Sequence, residues 1–68
     1  MSNSKMDMEN KLNRLHEAKK GTQYFSKYNP FRVYELDTVG DTEVQYHDDV
    51  GNYVLPIYEF VQNYTEML

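Results

Sequence analysis

Cysteine is absent from this 68-residue chain. Neither a disulfide nor a thiolate zinc site can therefore reinforce the fold. A chain of this length buries only about 60% of its unfolded surface, so association with itself or with a partner is the common remaining source of stability. Long apolar runs are also missing. MSNSKMDMENKLNRLHEAKK is polar throughout, and no later segment approaches the roughly 20 apolar residues of a membrane span. Together these absences predict no membrane partner and a cytoplasmic location. They also leave no weight for the sequon-like Asn63-Tyr64-Thr65.

Positive charge is scarce where most of the chain lies. Residues 1–20 carry five cations against Asp7, Glu9 and Glu17, a net of +2. Residues 21–68 carry only Lys27 and Arg32 against eight carboxylates, a net of −6, and hold all ten aromatics (seven Tyr, three Phe). A phosphate-backbone binder needs clustered Lys and Arg, so the composition argues against nucleic acid as the main partner.

What is present reads as α+β in one domain. Residues 1–21 have a helical signature: Ser4 with Asp7 as a capping box, an apolar stripe of Met8, Leu12, Leu15 and Ala18, Lys19 and Lys20 in the last turn, and Gly21 as a left-handed cap. Residues 22–55 read as antiparallel strands. Asn29-Pro30 has turn chemistry, and the apolar parity of Phe31–Thr38 switches between Val33 and Tyr34, which predicts a bulge there. A three-residue loop Gly40-Asp41-Thr42 sets Leu36 opposite Tyr46, Glu35 opposite His47, Thr38 opposite Val44 and Asp37 opposite Gln45. A four-residue loop Asp48–Gly51, with Asp first and Gly last as a type I turn prefers, sets Tyr46 opposite Tyr53, Val44 opposite Leu55 and His47 opposite Asn52. Residues 56–67 read as a short helix, with Pro56 at its first position and apolar residues at 57, 60, 61 and 64.

Tyr46, Asp48, Tyr53, Val54, Pro56, Glu59 and Phe60 carry a resemblance. Their spacing is similar to that of short uncharacterised bacterial and phage proteins with a Tyr-X-Asp turn, then aromatic-Val-Arg-Pro, then two residues and Glu-Phe. Tyr53 stands where Trp is usual and Leu55 where Arg is usual, which removes any anion contact that Arg would make. The resemblance implies a small antiparallel SH3-like barrel or bent sheet between the N-terminal helix and the short C-terminal one.

His47-Asp48-Asp49 is the one place where an imidazole adjoins two carboxylates. Calcium needs about six to eight oxygen ligands, and the spacing of an EF-hand is absent, so the triplet reads as a hairpin end rather than a metal or acid–base site. No catalytic residue, metal or cofactor is expected. The candidate partner-binding residues are the carboxylates Glu35, Asp37, Asp41, Glu43, Asp48 and Asp49 with Tyr24, Tyr28 and Tyr58. Exposed Tyr offers contact area at small entropic cost. The expected function is a non-enzymatic interaction module whose acidic, Tyr-rich face binds a host protein with a basic surface. Such a module suits an accessory protein of a phage or mobile element that inhibits its target. Two alternatives are a single-stranded nucleic-acid binder using a Tyr platform and the basic helix, and an oligomerising regulatory subunit of a larger enzyme, with a homo-oligomer as the simplest assembly.

Overall fold

A computed structural model of the chain describes residues 4–67. The elements are α1 (Ser4–Glu17), β1 (Gln23–Ser26), β2 (Asn29–Val39), β3 (Glu43–His47), β4 (Asn52–Pro56), α2 (Ile57–Asn63) and β5 (Tyr64–Glu66). One antiparallel sheet of five strands runs in the order β4-β3-β2-β1-β5. The α+β class expected from the sequence is the observed one.

The helix α1 buries the expected stripe. Leu15 is in the core, with Met8, Leu12 and Ala18 packed against it. Residues 1–3 of the expected helix, and the capping role of the Ser4 side chain, lie outside what is described. The helix stops at Glu17 rather than at residue 21. Gly21 does take a left-handed conformation (φ 91°), but as the third residue of a Lys19–Thr22 turn closed by Thr22 N–H to the Lys19 carbonyl at 3.0 Å. The cause is competition from the sheet: Gly21 N–H bonds the Leu36 carbonyl at 2.8 Å, and Leu36 N–H bonds that of Thr22 at 2.9 Å. Lys19 and Lys20 thus lie beyond the helix, whose last turn holds Arg14 and His16 instead.

The first hairpin turns at Lys27-Tyr28, not at Asn29-Pro30. Ser26 Oγ accepts the Tyr28 N–H at 3.1 Å and fixes the turn. The register then jumps: Ser26 faces Asn29 while Phe25 faces Val33. Pro30, Phe31 and Arg32 therefore loop out of the ladder, which suits a proline that has no N–H to contribute. The bend expected between Val33 and Tyr34 lies just before Val33. A second irregularity falls at Asp37. Leu36 faces Tyr46 and Glu35 faces His47 as expected, but Thr38 faces Gln45 and Val39 faces Val44. The extra residue exposes Thr38 and brings Val39 against the core, a gain that simple alternation does not foresee.

The second hairpin keeps its expected register throughout, with Tyr46 opposite Tyr53, Val44 opposite Leu55 and His47 opposite Asn52. The tail does not. Pro56 is the residue before α2 rather than its first member, and the helix ends at Asn63. Tyr64 is extended (φ −121°, ψ 146°), and β5 adds to β1 with Tyr24 opposite Glu66. Lys27 N–H to the Asn63 carbonyl and Met67 N–H to that of Gln23, both 2.9 Å, secure its two ends.

Leu15, Tyr24, Leu36, Val44, Tyr46, Ile57, Phe60 and Val61 form the core, drawn from both helices and three strands. Rings of Tyr34, Tyr46, Tyr53, Phe60 and Tyr64 meet at centroid distances of 4.7–5.8 Å. The helices cover one face of the sheet and leave the other open. Of the small barrel or bent sheet that the resemblance implies, the strands form an open sheet, with β4 and β5 as its two separate edges. Among the described residues no helix is long and apolar enough to cross a membrane.

Candidate functional site

The uncovered face of the sheet carries Glu35, Glu43, Gln45 and His47, and here the structure gathers part of the expected acidic surface. The His47 ring lies between two carboxylates. Its Nδ1 is 2.8 Å from Asp37 Oδ1, and its Nε2 is 3.7 Å from Glu35 Oε1. The Asp37 bulge brings the first pair together, since regular pairing would put Asp37 beside Gln45. Glu35, Glu43, Asp41 and Asp49 are exposed, but the two loop carboxylates point from opposite ends of β3. The acidic surface is thus a face with two tips.

Asp48 is not part of that surface. Its side chain is only 2% exposed. Oδ1 accepts hydrogen bonds from Val50 N–H (2.8 Å), Gly51 N–H (3.0 Å) and the Tyr53 hydroxyl (3.0 Å). Oδ2 accepts Arg32 Nη1 at 2.8 Å. Burial pushes this carboxyl up, but its donors outweigh burial and hold its pKa below the ordinary aspartate value. Arg32 is correspondingly raised, first by its hydrogen bond to Asp48. Asp48 therefore clamps the β3–β4 turn to the looped-out segment of β2.

The tyrosines divide in the same way. Tyr24 is 6% exposed and belongs to the core, which removes it from any contact surface. Burial, then the neighbouring Glu66 carboxylate, pushes its phenol up to about 12. Tyr28 and Tyr58 are well exposed. Tyr28 sits at the end of the sheet that carries Asp49; Tyr58 sits at the end that carries Asp41 and Glu43. Sequence reasoning missed Phe31, 96% exposed on the looped-out segment. Pro30 before it was a signal of broken pairing, but nothing local gave the direction of the side chain.

A cavity of about 190 Å³ opens where α1, α2 and β5 meet, on the covered side of the sheet and away from His47. Leu15, Tyr24, Phe60, Val61 and Tyr64 supply its apolar walls, and Lys11 lies at its rim. The rim is closed by Arg14, whose Nε and Nη2 reach Glu66 Oε1 at 3.0 and 2.9 Å. Among the described residues no group of three or more His, Asp or Glu side chains is arranged to hold a metal ion. No protein-family model, curated protein sequence or solved structure matches the chain.

Proposed function

We propose that the chain is a small, non-enzymatic interaction module that docks an acidic surface onto a basic surface of another protein. The observation that carries this reading is the placement of Glu35, Asp37, Glu43, Asp41 and Asp49 on the uncovered sheet face and its two tips, with exposed Tyr28 and Tyr58 at those tips. Carboxylates so arranged steer a positively charged partner, and the tyrosines give contact area once it has arrived. Size and the phage-like resemblance suit an accessory protein whose target is a host protein and whose effect is inhibition. Affinity capture from host lysate tests it, with wild type beside a variant carrying Asp37→Asn, Asp41→Asn, Glu43→Gln and Asp49→Asn. The partner should be lost with the variant; recovery unchanged by the four substitutions rejects acidic docking.

A second reading has one observation in its favour. Lys11, Lys27 and exposed Tyr28 line a common groove beside Asn63, a small cationic setting for a stacked base. Asp7 shares that groove and weakens it as an anion site. Retention of single-stranded DNA that is abolished by Lys27→Ala and Tyr28→Ala would favour this reading over the first.

A further inference from the structure

The edge of β4 is unlike the other edge of the sheet. Edge strands offer unpaired N–H and C=O groups, and proteins blunt them with charge, with proline or with a covering element. The β5 edge is three residues long, and Arg14 of α1 reaches across to Glu66 within it. By contrast β4, Asn52–Pro56, has five residues and no charged side chain.

The ladder shows which groups β4 leaves free. Asp48 N–H bonds the Gly51 carbonyl at 3.0 Å at one end, and Ile57 N–H bonds the Thr42 carbonyl at 2.9 Å at the other. In an antiparallel pair hydrogen-bonded positions alternate. Between these two ends Tyr53 and Leu55 therefore bond to β3, while Asn52 and Val54 turn their backbone groups outward. Pro56 has no N–H to offer. The free edge thus presents the N–H groups and carbonyls of Asn52 and Val54, while the Pro56 carbonyl, at the N-cap of α2, is taken by the first hydrogen bond of that helix. The Val54 side chain, 52% exposed, stands beside them on the uncovered face.

Charge identifies the occupant. From Val33 to Leu68 the chain holds no Lys or Arg and eight carboxylates. Asp49 adjoins the Asn52 end of the edge; Glu43, opposite Pro56, and Glu59 adjoin the other. Pairing two copies antiparallel through β4 would set Asp49 of one against Glu43 and Glu59 of the other, a like-charge contact that costs affinity. It would also leave the Asn52 carbonyl facing a proline.

We propose that β4 is a docking edge for an extended segment of another protein, with Lys or Arg flanking a short apolar stretch, that adds as a sixth strand. Main-chain hydrogen bonds to Asn52 and Val54 supply the pairing, and the carboxylates at the two ends select a basic sequence. The inference rests on the interaction-module reading and gives it a location and a partner class.

The test is a titration of the isotope-labelled chain (residues 1–68) with the synthetic peptide Lys-Lys-Val-Val-Val-Lys-Lys, beside its Glu-for-Lys counterpart. The expected result is shifted amide signals and slowed hydrogen exchange at Asn52 and Val54, little change at Tyr53 and Leu55, and no response to the acidic peptide. Val54→Pro should weaken binding about tenfold, roughly the worth of one lost backbone hydrogen bond. Val54→Lys keeps the backbone intact and should weaken it through charge alone, so a fold lost in the first variant leaves the question answerable. Shifts confined to Glu35, Gln45 and His47 would overturn the edge while leaving acidic docking standing. Protection of Val54 that grows with protein concentration in the absence of peptide would overturn it in favour of a second copy. No binding by either peptide would overturn it as well.

Discussion

Asp48 is the residue on which most local order depends. Two carboxylate oxygens take four donors from a turn, a neighbouring strand and the looped-out segment of β2. The consequence for pH follows from the direction of its shift. Its folded pKa lies below the unfolded value of about 3.9, so its contribution to stability is fully present above that value and lost as pH falls through the lowered one. Urea unfolding across the acid range should show the wild type losing stability below about pH 4. Asp48→Asn should be less stable at neutral pH and should lose less on acidification. An equally steep acid limb in the variant would mean that another carboxylate dominates.

Among the described side chains of α1, Leu15 is the one that is fully buried, with Met8 and Leu12 of the helix and Ala18 just beyond it packed against the core. Leu15→Ala should cost about 2–5 kcal/mol, a large share of the stability available to so small a domain. Thermal unfolding followed by circular dichroism checks this. Elements also differ in how readily the sequence reveals them. The β3–β4 register was legible because turn chemistry at Asp48 and Gly51 and the alternation of Val44, Tyr46, Tyr53 and Leu55 are local and agree. The tail was not, because the positions 57, 60, 61 and 64 fit one helical face. Tyr64 reaches the same core from a strand, sharing a 2.8 Å hydrogen bond with the Tyr46 hydroxyl. What makes it a strand is the free edge of β1, nearly forty residues earlier. Of the candidate contact residues, Tyr28 and Tyr58 are exposed as expected. Burial of Tyr24 and Asp48 depends on α2, β5 and Arg32, whose positions no local pattern encodes.

At the scale of the whole molecule, the core is unusually phenolic, and that sets its alkaline limit. Burial raises the pKa of Tyr24 to about 12 and pushes Tyr46 higher still. A group whose folded pKa is raised stabilises fully below its unfolded value, about 10 for tyrosine, and loses that contribution as pH rises. Unfolding above about pH 10 should therefore coincide with ionisation of the core phenols Tyr24 and Tyr46, the part of the tyrosinate absorbance that exposed Tyr28 and Tyr58 do not supply. Tyr46→Phe should cost about 1 kcal/mol at neutral pH through its lost hydrogen bond and shift the alkaline limb upward. Ionisation of the core phenols well before unfolding would contradict this account.

The position of β5 beside β1 also has a consequence for synthesis. The strands β1 to β4 leave the ribosome before α2 and β5 do. Until then Leu36, Val44 and Tyr46 have no Ile57, Phe60 or Val61 above them, and β1 has no outer neighbour. The nascent chain therefore carries a bare apolar sheet face until residues 57–66 emerge. The sheet can complete its core only when α2 and β5 have left the ribosome and cover that face together.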